Sequence, residues 1–340
     1  MRRPTTVLLL AAVAIVAIAL LLRSGDDSDT TTTTPPPSGA PETDAGSPTT
    51  EASPTTEGPT PPTTITPIAL PPGTSVCDLY SAIEVTGTIQ SSDLVEASGM
   101  AVSRTQDGIL WAHNDSRGGP TLFAFTPEGT DLGSFELDGA FAIDWEDMGA
   151  GPAADGTGAF LYVGDMGDNF GIRDGVITVW RVPDVSPTSL DGSFVDPQAI
   201  VYRLPGGPFD AEALFVDPVD PALYVITKSR SEAFVFRGPL EPASEPHDME
   251  LVATLFLDAE VSGADISADG GLLALRGYGS VWLWPRLPGE TIVDALAGPP
   301  CLGPSPDERQ GEAIAIDRAW SYLTVSEGTT PPINYVPADR

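Results

Sequence analysis

From about residue 97 onward, short apolar runs follow one another, each bounded by glycine, proline, asparagine or aspartate. The clearest stretch lies between Ile143 and Val182, where IDWEDMGAG, AFLYVGDMGDN and VITVWRV stand between turn residues. Each run alternates or is continuously apolar, and each is rich in Val, Ile, Tyr, Phe or Trp. Runs of this length and composition predict β-strands. The pattern repeats. A polar residue stands two places before an apolar strand position in Ser98/Met100, Glu146/Met148, Glu212/Leu214, Ser262/Ala264 and Glu312/Ile314, at intervals of 48, 66, 50 and 50 residues. After each opener a turn leads into a second run: GILWAHNDS, AFLYVGDMGDN, ALYVITKSR, GLLALRGYG and SYLTVSEG. A third, aromatic run usually follows, as in TLFAFT, VITVWRV, AFVFR and SVWLW. A period near fifty residues with several strands per unit predicts an all-β, five-bladed β-propeller. One small sheet cannot bury both of its faces until neighbours stack against it.

Ring closure accounts for a strand that has no blade of its own. Ile83 to Ile89 (IEVTGTI) precedes the first opener, and the last unit has only two clear strands plus PINYV (332–336). The early strand can complete the last blade and remove an exposed edge. PQAIVYRL (197–204) reads as the outer strand of the second blade, although the 66-residue interval leaves a count of six blades open. Cys77 lies just before the closing strand and Cys301 between the fourth and fifth units. Closure makes them neighbours, so a disulfide is expected, with two free buried thiols as the competing reading.

Three segments are expected along the chain. Residues 1–23 carry Arg2 and Arg3 followed by an unbroken apolar run from Val7 to Leu22, with acidic residues soon after Arg23. A single-pass anchor with its N-terminus in the cytoplasm is the favoured reading, and a cleaved signal peptide competes with it. Residues 24–75 are dominated by Thr, Pro, Ser and acidic residues, a composition that predicts a disordered stalk. Residues 76–340 form the propeller domain. The expected location is the cell membrane with the propeller on the extracytoplasmic side, as a monomer.

Charge narrows the classes of partner. The 340 residues carry 48 Asp and Glu against 16 Lys and Arg, a formal net charge of −32, and Lys228 is the sole lysine. Such a balance excludes nucleic acid, which requires a basic surface. It suits cation binding or simple solubility. A small anionic ligand or a surface protein remains as a partner.

Propeller geometry turns the repeats into a candidate site. The first strand of each blade lines the central channel, and the end of the antiparallel second strand returns beside its start. Ser98, Glu146, Glu212, Ser262 and Glu312 therefore meet at one mouth of the channel. So do the polar ends of the second strands, which supply His113, Asp115, Asp165, Asp168, Asn169, Lys228, Arg276 and Tyr278 as substrate-binding candidates. Three carboxylates converging on one axis repel one another unless a cation lies between them. A hard ion with oxygen ligands, calcium, fits the openers, and a water-filled channel is the competing reading. Zinc fits poorly because the chain has only two histidines. Arg173, in the loop after the second strand of the second blade, reads as a solvated charge.

The order Ser, Glu, Glu, Ser, Glu, one per blade of five, resembles the calcium ring of the calcium-activated nucleotidase (apyrase) family. DWEDMGAG, LYVGDMG and GEAIAI are similar in style to its blades. That resemblance implies a central calcium at the five openers and hydrolysis of nucleoside di- and triphosphates. The chain is also similar to uncharacterised bacterial secreted propellers and, more distantly, to the six-bladed calcium-dependent phytases. Two functions stay open on the sequence. One is a membrane-anchored binding or scaffold propeller with calcium in its channel. The other is a calcium-dependent phosphohydrolase of nucleotidase or phytase type.

Overall fold

The computed structural model describes residues 65–115 and 118–339. The anchor, most of the stalk and Ser116, Arg117 and Arg340 lie outside the described residues. Among the described residues, no helix is long and apolar enough to cross a membrane.

Among the described residues, five separate sheets are present, one for each expected repeat. The innermost strands are Ala97–Val102, Trp145–Gly151, Ala211–Asp217, Gly263–Ile266 and Gly311–Ile316. Each pairs antiparallel with the strand after it, and a third strand follows antiparallel on the far side. The 66-residue interval holds no sixth blade. Its contents are the third strand Val176–Pro183 and the outer strand Gln198–Arg203 of blade 2, plus Ser193–Phe194. Those two residues add a parallel fifth strand to blade 1, at Asp131–Leu137. His247–Asp248, from the excursion in blade 3, does the same for blade 2. The sequence pattern had not suggested these parallel additions, because two-residue strands carry no periodicity.

The inner strands explain why a ring forms. Successive side chains of a strand point to opposite faces, and both faces here meet another blade. In blade 3, Ala213 and Phe215 pack toward blade 4, whereas Leu214 and Val216 pack toward blade 2. Three further apolar clusters fill the interfaces of blades 1 and 2, 4 and 5, and 5 and 1. Strands buried on both faces read as nearly continuous apolar runs. The tryptophans belong to this packing: Trp111, Trp145 and Trp180 between blades 1 and 2, Trp282 and Trp284 between blades 3 and 4, and Trp320 between blades 4 and 5.

Glu84–Thr88 closes the ring as the outer strand of blade 5, antiparallel to Pro332–Val336. Just before it, the turn Val76–Leu79 is capped by Ser75 and packs Val76, Leu79 and Tyr80 into the interface of blades 4 and 5. The Tyr80 hydroxyl donates to the Trp320 carbonyl at 2.7 Å. Cys77 and Cys301 are joined in a disulfide, with Cα atoms 6.0 Å apart and a separation of 224 positions in sequence. The bond ties this turn to the outer strand Cys301–Gly303 of blade 4. Crosslinking so long a loop removes freedom from the unfolded chain, worth about 5 kcal/mol at most on a chain-entropy estimate. Replacing both cysteines by serine is therefore expected to move the denaturant midpoint down by a large fraction of total stability. Equilibrium unfolding of the double variant beside the wild type checks this; an unchanged midpoint means that strand closure alone holds the ring.

Candidate metal centre

Four of the five openers sit at register shifts. The pairing between inner and second strands slips at Ala97/Met100, Trp145/Met148, Ala211/Ala213 and Gly311/Ala313. Such bulges re-aim a side chain out of the regular alternation. Ser98, Glu146, Glu212 and Glu312 lie within these shifts. All five openers are buried.

The serines and glutamates then part company. The Ser98 hydroxyl donates to the Glu146 carbonyl of the next blade. The Ser262 hydroxyl donates to the Gly311 carbonyl at 3.0 Å. Both serines thus pin one inner strand to its neighbour. The carboxylates gather instead with groups outside the openers. Ligand atoms of Asp115, Asp144 and Glu146 lie within 4.8 Å of one another, and so do those of Glu146, Asp210 and Glu212. Glu146 belongs to both groups. Glu312 stands outside both but near enough to feel Glu212 and Asp115.

Asp144 and Asp210 were not singled out among the site candidates, although a signal for them exists in the sequence. Each stands two residues before its opener, and the corresponding places in the other blades are Glu96, Glu260 and Gln310. A polar residue therefore recurs at that place in every repeat. It escapes notice because it falls in the loop ahead of the apolar run.

Two further aspartates on the inner strands are buried. Asp147 accepts from its own neighbour Met148 N at 2.8 Å, and from Leu214 N and Ala264 N, each at 2.9 Å. It thereby joins blades 2, 3 and 4. Asp265 accepts from Ile266 N at 2.8 Å and Ile316 N at 2.7 Å, joining blades 4 and 5. Arg104 lies 3.5 Å from Asp265 and donates to the Ile266 carbonyl at 2.6 Å. Inner strands diverge around an axis and leave backbone N–H groups without a ladder partner; these carboxylates meet that need.

The remaining candidates divide by what holds them. Lys228 Nζ lies 2.8 Å from Glu212 Oε1 and 5.7 Å from the centre of the Tyr278 ring. Arg276 is fully buried, paired with Glu308, and donates to the Ala313 carbonyl at 3.2 Å. Burial lowers its pKa to about 9. It therefore binds blade 4 to blade 5. His113 is also fully buried, edge-on to Trp145, and burial lowers its pKa to about 4, so it stays neutral. Asp165 pairs with Arg173, which is not the solvated charge expected for a loop residue: its side chain is only 12% exposed. Asp168 accepts from Ile172 N at 2.7 Å and Arg173 N at 3.0 Å, which organises the loop after the second strand. Asp165 and Asp168 thus serve the loop that flanks the carboxylates.

That loop makes one wall of a 470 Å³ pocket lined by Ile143, Asp144, Gly167, Asp168, Asn169, Phe170, Ile172 and Arg173. Phe170 and Ile172 are 87% and 75% exposed. A methyl group added at Gly167 would reach within 2.0 Å of Glu146 Oε1 and 2.6 Å of Asp144 Oδ2, so only glycine fits against the carboxylates.

Burial and mutual repulsion raise the carboxylates at the mouth, with Lys228 as a positive charge beside Glu212. Burial, then Glu212, Asp115, Asp144 and Asp210, push the Glu146 pKa well above its ordinary value. Burial raises Glu212 to about 7 although Lys228 opposes the shift. Burial, with Glu327 and Glu212 next, raises Glu312 to about 8. Burial and Asp115 raise Asp144. Buried carboxylates sharing a site cannot all ionise unless a cation joins them.

The chain matches no known protein family, and no curated protein matches it. Among solved structures, the PQQ-bound aldose sugar dehydrogenase of Streptomyces coelicolor aligns over 76% of this chain and 98% of its own, at 13% identity and a TM-score of 0.44. A glucose dehydrogenase aligns over 76% of this chain and 100% of its own, at 9% identity and a TM-score of 0.46. Likeness at this level carries no argument about chemistry. The five-bladed β-propeller class rests on the sheets themselves.

The raised carboxylates fix the sign of a pH dependence. With folded-state values of about 7 for Glu212 and about 8 for Glu312, against 4.5 ordinarily, the native state holds more protons than the unfolded chain between those limits. Stability then falls as pH rises through that window. In chelator, the melting temperature is expected to drop between pH 5 and pH 8, and Glu212→Gln or Glu312→Gln should flatten the drop. Thermal scans across this range check it; a wild-type profile that rises or stays level contradicts the assignment.

Proposed function

We propose that the chain is a binding propeller built around a calcium ion at one mouth of its channel, displayed outside the cytoplasm by its N-terminal apolar run. The observation that carries this reading is the pair of carboxylate groups sharing Glu146. Oxygen donors from the loops and inner strands of blades 2 and 3 and from the end of the second strand in blade 1 suit a hard cation with six to eight oxygen ligands. The pocket beside Asp144 gives water or a ligand access to such an ion. Its volume falls in the range of small-molecule sites. The exposed Phe170 and Ile172 on a loop held by Asp168 supply an apolar contact at the rim. A ligand with an anionic or oxygen-rich head and an apolar body would meet both.

The disulfide supports a location in an oxidising compartment. A single-pass membrane protein is expected to stay with the membrane fraction after a high-salt wash. Release into the soluble fraction with a shortened N-terminus would instead mean a cleaved signal peptide.

A second reading, calcium-dependent phosphohydrolase, is favoured by Lys228, an ammonium beside the carboxylates that could meet a phosphate oxygen. Two features weigh against it. Arg276 is engaged by Glu308, and His113 is buried and neutral. Elemental analysis and thermal scans test the first reading: one calcium per chain, a melting temperature raised by calcium and poorly by magnesium, and loss of the shift with chelator. A calcium excess of about twentyfold over Kd corresponds to roughly 1.8 kcal/mol of added stability. No bound calcium and no shift would refute it. A phosphate-release screen with nucleotides and phytate decides the second reading. Calcium-dependent release that is lost in Lys228→Ala makes the protein an enzyme, and the absence of release on every substrate removes that reading.

A further inference from the structure

In each blade a turn joins the inner strand to the second strand, at the end of the inner strand opposite its opener. In blade 5 that turn carries Trp320, buried and at a φ of 71°. Its indole reaches back into the interface with blade 4, where Nε1 donates to Asp269 Oδ1 at 2.8 Å. The ring lies so close to Gly271 that a Cβ there would come within 2.5 Å of it. In blade 1 the matching position is Gly108. Ser103 N donates to the Ile109 carbonyl as Asp317 N donates to the Ser321 carbonyl, so Gly108 and Trp320 each stand immediately before the residue that closes the turn. Gly108 has a φ of 74°, and a Cβ built on it meets no atom within 4 Å. Where tryptophan fills the interface of blades 4 and 5, glycine lines a pocket of 320 Å³ between blades 5 and 1. The apolar walls are Val102, Ile109 and Leu110 of blade 1 and Leu323 of blade 5, with Tyr335 beside them. Thr86 of the closing strand lines it too, so all three segments that meet at the seam contribute.

We propose that this seam pocket binds a small aromatic molecule of about the size of an indole, neutral or positively charged. The inference is independent of the cation reading of the mouth. Size follows from the repeat: one interface earlier, the fold seats an indole at the matching place. A flat ring between apolar walls gains by burial and by contact with the Tyr335 ring. The ring has to come from another molecule, because residues 1–64, Ser116, Arg117 and Arg340 include no Phe, Tyr or Trp. Charge follows from the lining. Glu128 and Asp317 are its acidic members, and none of the lining residues is basic. Arg318, next to Asp317 in the chain, is turned to Asp107 and the Arg104 carbonyl. A carboxylate on the ligand would meet like charge, whereas an ammonium would be attracted. A ligand held here touches the first and last blades together. It binds only when the ring is closed, and so stabilises closure.

Isothermal titration of the disulfide-bonded full chain with indole tests this, with thermal scans as an independent readout. Wild type is expected to bind one indole saturably, with a Kd below about 1 mM, well inside the ceiling for a ligand of this size. Tryptamine should bind at least as tightly, and indole-3-acetate about tenfold more weakly or worse. Gly108→Trp should abolish binding by placing a ring where Trp320 places one. Gly108→Ala puts a side chain at the same positive φ without filling the pocket, so it should keep the wild-type affinity within about threefold. Gly108→Trp should also melt several degrees above Gly108→Ala, since both bear the same backbone strain and one fills the pocket. If Gly108→Trp does not fold, Val102→Phe narrows the same pocket from its wall and should weaken indole at least about tenfold. No saturable indole binding to wild type overturns the inference. Binding that survives in the folded Gly108→Trp, or unchanged in Val102→Phe, places the indole elsewhere and equally overturns it. Indole-3-acetate binding as tightly as indole overturns the charge assigned to the ligand.

Discussion

Every blade is a sheet with two apolar faces, and neither face can be left to water. That constraint organises the molecule. Five sheets satisfy it by standing around an axis, each interface filled by alternate side chains of the two neighbouring strands. A ring assembled from one chain has one seam. Here the seam is sealed by Glu84–Thr88 pairing with Pro332–Val336 and by a disulfide that anchors the residues just before it. Strand pairing supplies the register, and the covalent link limits how far the ends can part in the unfolded state.

The same ring creates the chemistry at its centre. Inner strands splay from the axis, so part of their backbone lacks a neighbour. Asp147 and Asp265 accept from those N–H groups and stitch blades 2 to 5 together, while Ser98 and Ser262 bind carbonyls of the next blade. Polar residues near the axis thus have two kinds of task. Some satisfy the backbone. Others, at the mouth, are held close to like charges and are stable only with protons or a cation between them. Burial raises the pKa of both kinds, so the shift alone does not separate them; hydrogen-bond partners do. Asp147 has three N–H donors, whereas Glu146 is surrounded by carboxylates.

Positive charge is scarce in this chain, and its distribution is informative. Arg276, Arg173 and Arg104 are used within the scaffold, on Glu308, Asp165 and Asp265 respectively. A guanidinium forks between a carboxylate and nearby carbonyls, which suits it to joining elements. Lys228, by contrast, is paired with Glu212 of the Glu146–Asp210–Glu212 group at the mouth. An ammonium is a compact point charge with no fixed plane, closer in character to a metal ion than an arginine is.

Much of the fold was legible in the sequence. The fifty-residue recurrence of polar opener, strand, turn and strand is a direct consequence of each blade performing the same packing task. The blade count, the closing strand and the pairing of Cys77 with Cys301 follow from it. The recurrence of Glu146 and Glu212 ahead of their strands is legible for the same reason. What the sequence did not reveal depends on distance in space. Asp144 and Asp210 precede their strands in loops, and Asp115 follows one; only closure of the ring brings them to Glu146. The Ser98 and Ser262 hydroxyls donate to carbonyls of the next blade, a contact that no linear pattern contains. Arg276 is paired with Glu308, which lies 32 positions away and has no periodic relation to it. Periodicity records which face of a strand is buried. It carries no information on which charge from another blade will be waiting there, because that is set by the radius and closure of the ring.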